Sequence, residues 1–171
     1  PDSEQGYAPV VFYLVSYAIM NLGAFIVLTL LASRGDGGLN LHDLSGIAKH
    51  HPWLSFSIAV FLFSMAGIPP TAGFVSKYLL FYSVIQADEI LLVVIGVLCS
   101  AASVYFYLRI LVYMYMHEPV LETAAQGEAV SNARLSVGGS LAVATMVWLT
   151  LLVGIQPTRL VDAVKIVVLS L

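Results

Sequence analysis

Residues 61–86 read FLFSMAGIPPTAGFVSKYLLFYSVIQ, and a single charged side chain, Lys77, stands among them. It is the only Lys, Arg, Asp, Glu or His between His51 and Asp88, and its neighbours are apolar, small or hydroxylic. A lone ammonium in hydrocarbon costs about 3 kcal/mol on insertion scales, so a sequence that keeps one gains something from it. Just upstream lie Gly67, Pro69, Pro70 and Gly73. The prolines remove backbone donors and the glycines lower helix propensity. The stretch therefore predicts a helix broken near GIPPTAG, with halves at about 53–66 and 74–86, and a proton or ion path beside the break. A tight two-helix hairpin is the other reading of the same pattern.

The rest of the chain supplies the apolar setting. Of 171 residues, 60% are hydrophobic and 10% charged, and the mean hydropathy is +0.93. Soluble domains carry about 25% charged residues. Several apolar runs reach the roughly 20 residues that cross a bilayer. The fold class expected is all-α integral membrane, a single transmembrane region of four passes at 7–33, 53–87 (broken at 67–73), 90–116 and 135–155. In the tail, 157–171, Arg159, Asp162 and Lys165 fall three apart, as on one face of an interfacial helix. The net charge of −3 argues against a nucleic-acid partner. Cys99 is the sole cysteine, so neither an internal disulfide nor a Cys-based metal site is expected. The opening PDSEQGYAP has no initiator Met and no basic leader, and reads as a fragment or processed piece.

Four passes put the 34–52 and 117–134 connections on one side. These hold Arg34, Lys49, Arg134, His42, His50, His51 and His117. The other side has Asp2, Glu4, Asp88 and Glu89, with Arg159 and Lys165 in the tail. The positive-inside bias makes the histidine-rich side cytoplasmic. Within the first connection, HDLSGIAKHH suggests a short surface helix with Asp43 as its cap. Adjacent His50 and His51 point in different directions on a helix, and no Glu or Cys completes a metal set. A solvated loop is the bland reading of both; a proton shuttle at the mouth is the other, given an unperturbed pKa near 6.5.

Taken together, the run at 61–86, SVYFYLRILVYMYMHEP at 103–119 and YLVSYAIMNLGAF at 13–25 resemble the antiporter-like, proton-translocating membrane subunits of respiratory complex I, the bacterial NADH–quinone oxidoreductase. The resemblance is carried by 7–119; the last span matches by hydropathy alone. It implies the C-terminal third of a longer subunit of about fourteen spans, in a bacterial inner membrane. It also implies a discontinuous helix whose channel lysine maps to Lys77. The partners implied are the lipid bilayer and the other membrane subunits of the complex, antiporter-like neighbours above all. No Gly-rich phosphate loop, nucleophile triad or flavin motif appears. No cofactor is expected in this chain; NADH, FMN, iron–sulfur clusters and quinone would belong to other subunits. A multi-subunit cation/proton antiporter on a related fold, or a purely structural membrane segment, are the competing functions.

Lys77 is the expected proton carrier. A dry site disfavours the charged form of an amine, which lets it take up and release a proton. Ser64, Thr71, Ser76, Tyr78 and Tyr82 are candidates to hold water near it. Asn21, mid-way along the first pass, needs a partner for its amide and either bonds a neighbouring helix or lines the path. Arg109 either snorkels to the interface or tunes the channel. Gly96, Ser100 and Ser103 read as a helix-contact face. Tyr105, Tyr107, Tyr113 and Tyr115 read first as an interfacial aromatic belt.

Overall fold

The computed structural model describes residues 3–32, 41–118 and 137–169. Asp2, Arg34 and Arg134 lie outside the described residues, as do 34–40 of the first predicted connection and 119–134 of the second. Among the described residues the structure is all helical: α1 (Ser3–Ala32), α2 (Pro52–Ala66), α3 (Ala72–Gln86), α4 (Ile90–Met116), α5 (Val137–Ile155) and α6 (Pro157–Leu169), with two 3-10 turns at Leu41–Leu44 and Ile47–Lys49.

α1 is the central post. It packs against α2, α3, α5 and α6, while α4 lies against α2 and α3. Missing side chains allow the close approaches. Phe61 of α2 occupies the place where a Gly23 Cβ would sit, and Phe81 of α3 lies over Gly96 of α4. One core joins Val27, Ile58, Phe61, Met114 and Val143; a second joins Phe12, Met20, Ala72 and Val153.

Among the described residues, three helices are long and apolar enough to cross a membrane: Tyr7–Leu31, Ile90–Met116 and Gly138–Ile155. The outer surface is apolar, with Leu91 73%, Leu98 64% and Trp148 61% exposed, a surface suited to hydrocarbon rather than water. α2 and α3 have 15 residues each. At 1.5 Å per residue each spans about 22 Å, short of the ~30 Å hydrocarbon thickness.

α2 stops because Gly67 takes φ +86°, left-handed backbone that ends helices and suits glycine. Its N–H turns back to the carbonyls of Phe63 and Ser64 at 3.1 and 2.9 Å. α3 and α4 are joined by a tight turn in which Asp88 takes φ 59°, a conformation Asp tolerates better than most residues.

The HDLSGIAKHH segment is not one surface helix. Gly46 at φ 67° splits it into the two 3-10 turns. Asp43 lies inside the first turn, not at a cap position. Leu44 and Ile47 are buried, and the Gly46 N–H donates to the Tyr113 carbonyl at 3.1 Å. The segment thus closes over the end of α4.

Candidate functional site: a lysine on a helix end

The last four carbonyls of an α-helix have no partner within the helix. At the end of α2 the Phe63 and Ser64 carbonyls are taken by the N–H groups of Gly67 and Ile68. The Met65 carbonyl is taken by Lys77, whose Nζ donates to it at 2.9 Å. The lysine stem passes over Gly67, where an added Cβ would stand 3.4 Å from Cδ. A cation therefore sits at the carbonyl end of a helix, where the helix dipole attracts positive charge.

Ser64 holds the break together. Its hydroxyl donates to Met20 Sδ at 2.7 Å and accepts from the Gly73 N–H at 3.1 Å. That N–H is one of the unpaired donors in the first turn of α3, so a side chain of α2 caps the next helix while tying both to α1. A Cβ on Gly73 would collide with the Ser64 carbonyl. Thr71 donates to the Ile68 carbonyl at 2.6 Å and Ser76 to the Gly73 carbonyl at 3.1 Å. From the far side α5 presses Gly154 against Pro70 and Thr71, again with no room for a Cβ.

Lys77 opens onto a half-open cleft of about 370 Å3. α1 contributes Tyr13 and Tyr17, α3 contributes Ser76, and α4 contributes Ser100, Ser103 and Tyr107. Among the described residues no Asp or Glu lines it. The wall offers hydroxyls that both donate and accept beside an amine that needs water or a hydroxyl to exchange a proton.

Several sequence expectations are placed differently. Tyr78 and Tyr82 are 58% and 52% exposed and form an outward stack with Phe74, at centroid distances of 6.4 and 6.2 Å. Being next to Lys77 in sequence puts Tyr78 about 100° away around the helix. Asn21 is half-buried on α1 and stands outside the cleft wall. Arg109 is exposed, with its guanidinium 5.9 Å from the Tyr113 ring centre. Ser64 and Ser76 lie beside the lysine, but Ser64 is fully committed to protein partners. Ser100 and Ser103 face the cleft instead of making only a helix contact. Tyr13 and Tyr17, stacked at 6.0 Å, were missed. Their signal was spacing: with Met20 they recur at i, i+4 and i+7, one face of α1.

Among the described residues, a helical bundle with an apolar outer surface and long apolar helices has the form of a multi-pass membrane protein. The profile of the family described as NADH:quinone oxidoreductase/Mrp antiporter, TM, matches residues 2–103. The chain belongs to this family of multi-pass membrane proteins. It is 48% identical over 110 residues to NADH-quinone oxidoreductase subunit N of Trichlorobacter lovleyi, which covers 64% of this chain and 23% of that protein. It is 40% identical over 168 residues to subunit N 1 of Herpetosiphon aurantiacus, covering 98% of this chain and 33% of that protein. The chain thus spans about a third or less of the curated relatives it matches. Its fold also resembles a chain in the structure of the Mrp complex from Dietzia sp. DQ12-45-1b, with TM-score 0.82 over 99% of this chain and 38% of that one, at 20% identity.

Proposed function

We propose that the chain is the C-terminal third of a subunit N of a bacterial NADH–quinone oxidoreductase, and that Lys77 carries protons through it. The observation that bears most weight is the Lys77 Nζ on the Met65 carbonyl at the mouth of the hydroxyl-lined cleft. A protonated amine is held by that carbonyl and by the negative end of α2. A neutral amine loses most of that attraction and turns to water. The two charge states thus favour different lysine positions, as a carrier requires.

In this reading α2 and α3 form one interrupted crossing, so the chain makes four passes. Their lengths support it, since neither half alone reaches across the bilayer. The chain lies in the bacterial inner membrane among other membrane subunits of the complex. NADH, FMN, iron–sulfur clusters and quinone are bound elsewhere. Electron transfer there drives the proton step here.

The test is Lys77→Ala in the whole complex, reconstituted in vesicles with assembly verified. Proton translocation coupled to quinone reduction should drop at least tenfold. Undiminished stoichiometry would end the proposal. The family description and the structural likeness also favour a second reading, a subunit of a cation/proton antiporter assembly. Co-purification with NADH-oxidising subunits supports the first reading; their absence from an intact purified assembly supports the second.

A further inference from the structure

At the opposite end of α2 two polar atoms are buried without partners. His51, the residue before α2, has its Nε2 shielded from solvent with no hydrogen bond, and the Ser55 hydroxyl is in the same condition. Ser55 is fully buried. The Ser55 N–H donates to the His51 carbonyl at 3.0 Å, which places the two residues one turn apart on one side of the helix. His51 caps nothing with its ring. A buried polar group left unpaired costs about 1–3 kcal/mol, and the ordinary remedy for two of them one helical turn apart is an internal water.

We propose that His51 Nε2 and Ser55 Oγ hold a buried water between them, and that the three form a second proton-exchange station at the end of α2 remote from Lys77. A neutral imidazole offers one donor and one acceptor nitrogen, and a hydroxyl does both, so the trio can pass a proton in either direction. Burial, and next the neighbouring His50, hold the His51 ring below the usual histidine range. It therefore stands neutral near pH 7. Among the described residues, the other charged or titratable groups around this end are His42 and Asp43 in the first 3-10 turn, Lys49 beside His50, Arg109, Tyr113 and Tyr115 on α4, and His117 and Glu118 just after it. α5 brings none.

The two stations are separate. From Ser55 to Met65 is about 15 Å along the helix. Ile58, Phe61 and Leu62 fill the interval with 1%, 0% and 5% exposure.

The inference rests on the chain's working within a proton-translocating complex, so Lys77→Ala is measured alongside. If that variant still pumps, the proposed function fails first and separately. In a map of the assembled complex fine enough to show ordered water, density is expected within hydrogen-bonding distance of both His51 Nε2 and Ser55 Oγ. Ser55→Ala should remove it. His51→Gln should slow translocation about threefold or more at pH 6, which is nearer the ring's own pKa, and less at pH 8, where the ring stays neutral. A dry pair in such a map overturns the proposal. So does a His51→Gln defect of equal size at every pH, which marks a structural residue.

Discussion

At Gly67 the backbone takes φ +86°, and a side chain there adds left-handed strain of about 1–2 kcal/mol. Gly67→Ala also narrows the space over which the lysine stem lies. We expect a modest fall in melting temperature of the solubilised complex together with altered proton translocation. Gly73→Ala is harsher, because its Cβ meets the Ser64 backbone. A loss of about 3 kcal/mol or more is expected, read as failed assembly on native gels. His51 adds a pH dependence. Its folded pKa lies below the unfolded value of about 6.5, so the unfolded state binds more protons in between, and stability falls as pH drops through that window. His51→Gln should flatten part of the decline in melting temperature below pH 6.5. An unchanged slope would contradict the buried placement of the ring. Lys77 itself was legible as a lone charge in an apolar run. Its partner was not, since the Met65 carbonyl belongs to the backbone and every residue has one.

Among the elements, one hydroxyl ties α2 to both α1 and α3 where α2 ends. Ser64→Ala removes its contacts with Met20 Sδ and the Gly73 N–H and leaves a buried donor unpaired. About 1–3 kcal/mol of stability should be lost, visible as faster thermal inactivation. Ser64→Cys should recover part of it, since a thiol both donates and accepts weakly. The glycines and prolines of 67–73 announce that regular helix stops there. They do not say which side chain closes the gap. Tyr78 and Tyr82 show the same limit. Sequence neighbours of a functional residue look attractive on a linear string, whereas helical rotation sends them to the outer surface. The opposite happened at Ser100 and Ser103, whose small-residue spacing fits a packed face or an open one equally well. Which of the two they form depends on how α4 is turned against α1 and α3.

For the whole molecule, composition and the length of the apolar runs pointed to an all-helical membrane protein, and the described residues are all helical. Charge scarcity and long apolar runs are properties that no later packing detail reverses. Leu91, Leu98 and Tyr105 recur every seven residues on the side of α4 away from the cleft. Nitroxide labels at Leu91→Cys and Leu98→Cys, on a Cys99→Ser background in the full subunit, should show frequent collisions with oxygen and few with a nickel chelate. The reverse pattern would mean that this side of α4 faces water. The contact of Gly154 with Pro70 and Thr71 has a consequence at this scale as well. Two backbones meet there with no side chain between them to absorb movement. The joint that carries the lysine can then flex only if α5 slides with it, and α6 is attached to α5 through Gln156. The tail and the seat of Lys77 thus share one stiff contact, and Gly154→Ala should disturb both together.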